Sequence, residues 1–296
     1  MKHDHLILKE RVPLSKYTTF GIGGPARYVA EPQDLEELRE ALLFAEEEGL
    51  PYLILGGGSN VLFHDEGFEG VVIRMARMNH VEVKGEVLEA EAGTTLKRLI
   101  NVARDAGLSG LEPFVGIPGE LGGAIVMNAG LKGHEIGDRL VSVTLLTFDG
   151  YVEELPPQEL GLAYRRSRVR DMGIIVKARL RLVPGDTERI DQEIQNYLEH
   201  RKSTQPYGMK SAGCVFKNPA PDVSAGKLLD DAGLKGYRLG DAMYSEKHAN
   251  FIVNLNQARA EDVLALMDLG KQRVREMFGY ELEEEIVVLD PWGNGV

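Results

Sequence analysis

The stretch at residues 53–74, LILGGGSNVLFHDEGFEGVVIR, decides how this sequence is interpreted, because a glycine-rich loop stands between two apolar runs. Gly56–Gly58 lacks three Cβ atoms in succession, so the backbone can turn sharply and present its N–H groups together. Ser59 and Asn60 add side-chain donors for a phosphate or diphosphate. A tight loop between two strands would show the same glycines, so the loop alone leaves both interpretations open.

The elements around this loop predict a β-α-β opening. Ala26–Ala30 has the composition of a strand, Asp34 can cap the helix that follows, and Tyr52–Leu55 leads into the loop. GGGSN continues into the apolar run Val61–Phe63 rather than into a helix, and no P-loop lysine follows. The loop is therefore not a dinucleotide fingerprint of the usual kind.

Helices and strands continue to alternate later in the chain. Thr94 is predicted to cap a second amphipathic helix, and Asp149-Gly150 is a strong hairpin signal between two strands. A last long helix, Glu261–Phe278, is predicted to include Met277 in its core face. In the closing strand, Glu285–Leu289, four consecutive apolar residues predict burial on both faces.

Composition argues against several classes of protein. The 296 residues are enough for two or three domains, and 46 acidic against 34 basic residues give a net charge of −12. A general nucleic-acid binder needs a basic surface, so that class is disfavoured. Cys214 is the single cysteine, so neither an intramolecular disulfide nor a cysteine-cluster metal site is possible, and no other metal site is indicated. Without an apolar run typical of a membrane span or signal peptide, we expect a cytoplasmic protein with no obligate protein partner.

Two further stretches are candidates for binding. Glu112–Gly130, EPFVGIPGELGGAIVMNAG, favours backbone lying close against a flat or phosphorylated ligand, although tight packing of a loop on a helix would show the same glycines. Residues 163–170, AYRRSRVR, hold four arginines in six positions. These form either a local anion site or a solvated edge, because guanidinium groups match carboxylates and phosphates but charge runs are commonly solvated.

Glu285 begins the closing strand, at the mouth of a predicted core. Burial there would raise the pKa of its carboxyl group unless a cation offsets the effect. The alternative is that Glu285 is the last residue of a solvated acidic run, and the residue pattern alone does not separate the two.

Together, the two glycine stretches, YRRS, GCVFKNP and the terminal glutamate resemble the UDP-N-acetylenolpyruvoylglucosamine reductase (MurB) family, flavoenzymes that make UDP-N-acetylmuramate for bacterial peptidoglycan. Each motif is weak alone, but all five occur in the family's order. The resemblance is collinear from TTFGIGGPA, near residue 18, to the last strand, and so covers nearly the whole chain.

The resemblance implies an α+β protein of three domains, with an FAD-binding fold of the vanillyl-alcohol-oxidase (PCMH) type and a C-terminal α/β substrate domain. The domains would span residues 1–75, 76–186 and 187–296. The short span between Arg165 and Cys214 looks like the family's type II form, which lacks an extra substrate-covering loop.

The resemblance also implies FAD and NADPH as cofactors and UDP-N-acetylglucosamine enolpyruvate as substrate. The residues that would bind FAD are Gly56, Gly57, Gly58, Ser59, Asn60, Gly116, Ile117, Pro118, Gly119, Gly122, Gly123, Asn128, Ala129 and Gly130. The residues that would bind substrate are Tyr164, Ser167, Lys217, Asn218 and His248.

Three residues match the family's catalytic positions. Arg165 stands in a YR.S motif, and Glu285 matches a carboxylate near the C-terminus. Cys214 departs from the pattern, because the family has serine at that place in GS.F.NP. By this resemblance, hydride from reduced flavin adds to the enolpyruvyl group, and Arg165 holds and neutralises the resulting enolate. Glu285 hydrogen-bonds to the enolate or helps to set protonation, and Cys214 protonates the carbon next to the carboxylate.

A thiol with the ordinary pKa of about 8.5 is a stronger acid than a serine hydroxyl. It can also ionise beside Arg165 and lose the proton that it must donate, so we expect the rate to fall at alkaline pH. Two alternatives stay open. A flavin oxidase of the same fold has no reason to keep YRRS, GCVFKNP and Glu285 together, and a non-catalytic nucleotide-binding domain is favoured only by the serine-to-cysteine change.

Overall fold

The computed structural model describes residues 6–131 and 133–293. Its helices are α1 (Leu35–Glu47), α2 (Leu96–Asp105), α3 (Leu121–Val126), α4 (Thr187–Thr204), α5 (Ala225–Asp231) and α6 (Ala260–Phe278). Its strands are β1 (Leu8–Pro13), β2 (Pro25–Ala30), β3 (Tyr52–Leu55), β4 (Val61–Phe63), β5 (Phe68–Arg74), β6 (Val81–Lys84), β7 (Val87–Glu91), β8 (Leu108–Ser109), β9 (Gly130–Leu131), β10 (His134–Glu135), β11 (Leu140–Thr147), β12 (Val152–Leu155), β13 (Gly173–Arg181), β14 (Val183–Pro184), β15 (Lys210–Cys214), β16 (Arg238–Leu239), β17 (Ala242–Tyr244), β18 (Phe251–Asn254) and β19 (Val287–Leu289).

The first sheet contains the predicted β-α-β unit. Its strand order is β1-β2-β5-β3, and β5 is parallel to both β2 and β3. Helix α1 begins where predicted, because the Asp34 side chain accepts a hydrogen bond of 2.9 Å from the Glu37 N–H. The glycine loop leaves the carboxyl end of β3, which is the edge of a parallel sheet where ligand sites form.

Two antiparallel sheets follow along the chain. The second sheet has the order β12-β11-β13-β7-β6, and Asp149-Gly150 connects β11 to β12 as predicted. The third sheet has the order β15-β18-β17-β16 and is covered by α6, which also contacts α5. The architecture is therefore α+β, as expected.

The last strand returns to the beginning of the chain. Strand β19 pairs in parallel with β4, and Val287 lies opposite Val61. Successive residues of β4 enter different cores, because the side chains of a strand alternate between its faces. Phe63 packs in the core of the first sheet, whereas Leu62 packs with Val288 in the core under the third sheet. The two paired strands thus join the first and last parts of the chain.

Two residue-level expectations are wrong. Thr95 rather than Thr94 caps α2, since the Thr95 side chain accepts a hydrogen bond of 3.2 Å from the Arg98 N–H, and Thr94 is fully buried. Met277 is 55% exposed, because the last turn of α6 extends beyond the core that buries Val274. The apolar residues of α6 keep helical spacing to its end, but the last of them to be buried is Val274.

We expect Leu62→Ala to lower the free energy of unfolding by about 2–5 kcal/mol, since truncation would leave a cavity at a residue with 0% exposure. Urea denaturation followed by circular dichroism measures the change. Leu43→Ala, on a 37% exposed side chain of α1, is the matched control, with an expected change within about 0.5 kcal/mol. Equal effects of the two substitutions would contradict the core position of Leu62.

Candidate active site

The two glycine stretches meet in a cleft of about 1470 Å³. The carboxyl end of β3, one face each of α2 and α4, helix α3 and the end of β15 bound this cleft. The predicted cofactor residues that line it are Gly56, Gly57, Gly58, Ser59, Asn60, Gly116, Ile117, Pro118, Gly119, Gly122, Gly123, Ala129 and Gly130. The fold therefore brings together all of the predicted cofactor residues except Asn128.

Close contact between the stretches explains part of their glycine content. A Cβ atom on Gly57 would lie 3.0 Å from Cα of Gly119. Gly58 has a φ of +60°, and a Cβ atom there would lie 2.0 Å from the carbonyl oxygen of Tyr17. Gly123 differs, because a Cβ atom there would meet no other atom within 4 Å. We refer to the contact of residues 56–59 with residues 119–120 as the glycine seam.

Asn128 lies behind the cleft wall and is only 2% exposed. Its side-chain amide donates hydrogen bonds to the Glu135 carboxylate at 2.7 Å and to the Ala163 carbonyl at 3.2 Å. Its side-chain oxygen accepts one from the Gly137 N–H at 3.1 Å. Asn128 thus supports the segment that carries Arg165 instead of facing the cleft.

Arg165, Cys214 and Glu285 line the same cleft. Nε of Arg165 lies 2.8 Å from Oε1 of Glu285, and Nη2 of Arg165 donates a hydrogen bond of 2.9 Å to the Gly130 carbonyl. Arg165 has a φ of +55°, which is uncommon for a residue with a Cβ atom. Contacts with two separate segments therefore hold its guanidinium group in one orientation.

Glu285 is positioned through its backbone. Its carbonyl oxygen accepts a hydrogen bond of 3.0 Å from the Asn60 side chain, and its N–H donates one of 2.8 Å to the Val215 carbonyl. Burial raises the pKa of its carboxyl group, and the charges of Arg165 and Lys217 oppose this rise. The side chain is 15% exposed, so the alternative of a solvated acidic residue is wrong.

Cys214 ends β15 and opens into the cleft. Burial, followed by the charge of Glu285, raises the pKa of the Cys214 thiol to about 12, and this outweighs the opposite effects of Arg165 and Arg201. The raised pKa therefore opposes the expected ionisation of the thiol beside Arg165, and the expected fall in rate at alkaline pH stays a prediction. The sequence could not reveal the burial of the thiol or the nearby charge of Glu285, because both arise from tertiary structure.

The predicted substrate residues occupy more than one environment. Tyr164, Lys217 and Asn218 line a neighbouring cavity of about 430 Å³, together with Arg166 and Glu283. Lys217 forms an ion pair with Glu283 at the rim of this cavity. The cavity therefore combines two cations, Arg166 and Lys217, with two carboxylates, Glu281 and Glu283, and with polar side chains.

Ser167 and His248 face other parts of the protein. The Ser167 hydroxyl donates a hydrogen bond of 2.9 Å to the Val126 carbonyl, which ties the arginine segment to α3. Nδ1 of His248 accepts one of 3.2 Å from the Asn250 N–H, and the ring packs edge-on against Phe251. Burial lowers the pKa of His248. Neither side chain is among those that line the two cavities.

Arg201 is a cleft residue that the sequence analysis missed. It is 6% exposed, its Nε has no hydrogen-bond partner among the described residues, and Nη2 donates to the Pro113 carbonyl at 3.4 Å. Ile194 and Leu198 line the cleft on the same face of α4. Their spacing of four and three residues was the available signal, since it places an arginine in an apolar helical stripe.

Glu120 was also missed, although it stands inside the second glycine stretch. It lines the cleft, is 5% exposed, and its Oε2 has no hydrogen-bond partner among the described residues. Burial raises the pKa of this carboxyl group to about 7, opposed by the charge of Arg74. The signal was that Glu120 is the one polar residue within residues 113–127, which are otherwise apolar or glycine.

We expect the Cys214 thiol to stay largely protonated at about pH 10, where an ordinary cysteine with a pKa of about 8.5 is mostly thiolate. Thiolate absorbance, taken as the difference from Cys214→Ser, measures the titration. Glu285→Gln should lower the thiol pKa because it removes a nearby negative charge. Glu281→Gln, at a 73% exposed side chain, should leave it unchanged. An ordinary cysteine titration in the native protein would contradict this assignment.

The described residues contain no group of three or more His, Cys, Asp or Glu side chains that could hold a metal ion. A search of the same residues for helices that combine the length and apolar composition of a membrane span found none.

Two families match different parts of this chain. Residues 26–156 match the family described as FAD binding domain, which covers the glycine loop and the second glycine stretch. Residues 205–289 match the family described as the C-terminal domain of UDP-N-acetylenolpyruvoylglucosamine reductase, which covers Cys214 and Glu285.

Full-length relatives carry the same name. The UDP-N-acetylenolpyruvoylglucosamine reductase of Moorella thermoacetica is 44% identical over 284 residues, which are 96% of this chain and 93% of that protein. Reductase 2 of Symbiobacterium thermophilum is 42% identical over 97% of this chain and 92% of that protein. The crystal structure of the enzyme (MurB) from Thermus caldophilus superposes with a TM-score of 0.83 at 43% identity, over 96% of this chain and 99% of that chain. Identity of this extent, over nearly the full length of both proteins, means that this chain belongs to the UDP-N-acetylenolpyruvoylglucosamine reductase family.

Proposed function

We infer that this protein is an FAD-dependent oxidoreductase that uses NADPH to reduce UDP-N-acetylglucosamine enolpyruvate to UDP-N-acetylmuramate, a peptidoglycan precursor. The observation that carries this inference is the presence of Arg165, Cys214 and Glu285 in one glycine-lined cleft. Membership of the reductase family supports it, because residues of both matched segments line the cleft.

The cleft has the size and chemistry to bind a flavin dinucleotide. Its volume of about 1470 Å³ exceeds the ~300–1,000 Å³ of usual small-ligand pockets, which leaves room for a second ligand. The buried Oε2 of Glu120 and Nε of Arg201 lack partners among the described residues, and a ligand can provide them. The residues of the two glycine stretches that line the cleft would hold FAD, and bound FAD in its reduced form would supply the hydride.

Arg165 is proposed to bind the substrate carboxylate and to stabilise the negative charge that develops there during reduction. Glu285 and the Gly130 carbonyl already fix its guanidinium group, so the donors need little reorganisation when charge develops. Glu285 would therefore be a positioning residue for Arg165. It would also keep the neighbouring thiol protonated through its own charge.

Cys214 is proposed to protonate the carbon next to the substrate carboxylate. Its pKa, raised to about 12, keeps the thiol in the donor form throughout the neutral range. A thiol donates one proton, as the family's serine does at this place, so the serine-to-cysteine departure preserves the required chemistry. Thiol ionisation would lower the rate only as the pH rises toward that high pKa, and not near the ordinary pKa of cysteine.

The neighbouring cavity is proposed to hold the diphosphate of the UDP-sugar. Arg166 and Lys217 are the cations of this cavity, and Glu281 and Glu283 also line it, so Lys217 would exchange its ion pair with Glu283 for the diphosphate. Tyr164 and Asn218 would provide polar contacts. The division into domains at 1–75, 76–186 and 187–296 stays a prediction, as do a cytoplasmic location and the lack of an obligate protein partner.

Anaerobic visible spectroscopy tests the function. We expect NADPH to bleach the yellow flavin of the purified protein, and the enolpyruvyl substrate to restore the colour without oxygen. A protein that cannot take up FAD would overturn the inference. Flavin that is bleached but recovers its colour only with oxygen would favour the oxidase alternative.

Cys214→Ala should slow substrate-dependent flavin reoxidation by about 10²–10⁴-fold, the usual contribution of a general acid, while flavin content and reduction by NADPH are retained. Stopped-flow absorbance measures the two half-reactions separately. Cys214→Ser is the matched control, because it keeps a proton donor of similar size, and we expect it to retain most of the reoxidation rate. Reoxidation by Cys214→Ala at the native rate would remove Cys214 from the mechanism.

A further inference from the structure

We propose that Glu120 binds FAD as a protonated carboxylic acid, so that the protein takes up one proton as the cofactor enters the cleft. The proposal rests on the proposed FAD-dependent function and adds to it a residue and a proton linkage. Neither the glycine pattern nor the catalytic residues account for a carboxyl group at this place.

Glu120 lies at the centre of the glycine seam. A Cβ atom on Gly56 would lie 3.3 Å from its Oε2, and one on Gly119 would lie 2.8 Å from Oγ of Ser59. The backbone of Glu120 is already engaged, because its carbonyl accepts a hydrogen bond of 3.0 Å from the Ala124 N–H. The side-chain Oε2 is left without a hydrogen-bond partner among the described residues, and Glu120 lines the cleft beside the loop that would hold the cofactor.

The charges near Glu120 do not compensate for its burial. Arg74, which lies opposite Leu55 at the end of β5, is the cation that acts on it. Arg74 is already paired with Glu31 at 2.5 Å, and its guanidinium carbon lies 3.9 Å from the centre of the Tyr17 ring. Burial therefore prevails, and the Glu120 carboxyl group titrates at a pKa of about 7.

The other elements packed against Glu120 contribute little charge. Helix α2 approaches it through a bridge between Thr95 and Glu120, and its cleft-lining Lys97 is solvent-exposed. The glycine loop, residues 56–60, contains no titratable side chain. Arg165, Cys214 and Glu285 line the same cleft, but the shift of the Glu120 pKa arises from burial, opposed by the charge of Arg74.

FAD is expected to bind more favourably to the protonated form of Glu120 than to its ionised form. FAD offers many acceptors, including its diphosphate oxygens and ring carbonyls, and a carboxyl group donates a hydrogen bond only while protonated. An ionised carboxylate beside the diphosphate would add like-charge repulsion at a buried position. Binding would therefore convert the ionised fraction of Glu120 to carboxylic acid, with the proton supplied by solvent.

The test is the dissociation constant of FAD, measured by equilibrium dilution of the holoenzyme and the fluorescence of released flavin between about pH 6 and about pH 9. For the wild type we expect the affinity to fall about tenfold per pH unit above about pH 7, because one proton must be taken up. Glu120→Gln keeps a neutral donor at every pH, so its affinity should lack this dependence. Calorimetry in two buffers of different ionisation enthalpy should show proton uptake for the wild type and none for Glu120→Gln.

Glu112→Gln is the matched control, because Glu112 is a second buried carboxyl group in the same stretch, at 3% exposure. Its Oε2 accepts a hydrogen bond of 2.7 Å from the Gly110 N–H, and it is not among the cleft-lining residues. We expect this variant to keep the wild-type pH dependence. The proposal would be overturned if the affinity for FAD depended on pH equally in the wild type and Glu120→Gln, or if the affinity rose with pH. Binding of FAD in either case would still support the proposed function.

Discussion

The parallel pairing of β4 with β19 is the interaction on which the active site depends. It sets the end of the glycine loop beside the start of the last strand, where Asn60 holds the Glu285 carbonyl at 3.0 Å. Glu285 in turn fixes Arg165, whose other donor is tied to the second glycine stretch. Glu285, Arg165 and both glycine stretches therefore share one continuous set of contacts.

Local signals predicted the elements near this pairing well. The bounds of Tyr52–Leu55 and Val61–Phe63 agree with the prediction, and Asp34 caps α1, because apolar runs and capping residues act over a few positions. Thr94 and Thr95 show the limit of such signals, since two neighbouring threonines offer the same capping chemistry and tertiary burial decides between them. Local sequence does not reveal that β19 pairs with β4, because the two strands are far apart in the chain.

Part of the candidate site was predicted from motif resemblance to a family, not from local signals for helices and strands. Arg165, Cys214 and Glu285 came from motif resemblance, and the fold brings them into one cleft. The pKa of Cys214 could not be foreseen, because it depends on burial and on a carboxylate that reaches it through tertiary structure. Arg201 and Glu120 belong to no recognised motif, and their importance lies in the unpartnered atoms that burial creates.

The return of the last strand to β4 also constrains how the enzyme is made. Asn60 and Glu285 are 225 residues apart in sequence, and closing so long a loop costs entropy and slows folding. Domains form from the N-terminus as synthesis proceeds, so the cofactor loop emerges well before its partner strand exists. A nascent chain can build most of its first sheet early, yet the cleft wall that contains Glu285 stays incomplete until β19 leaves the ribosome.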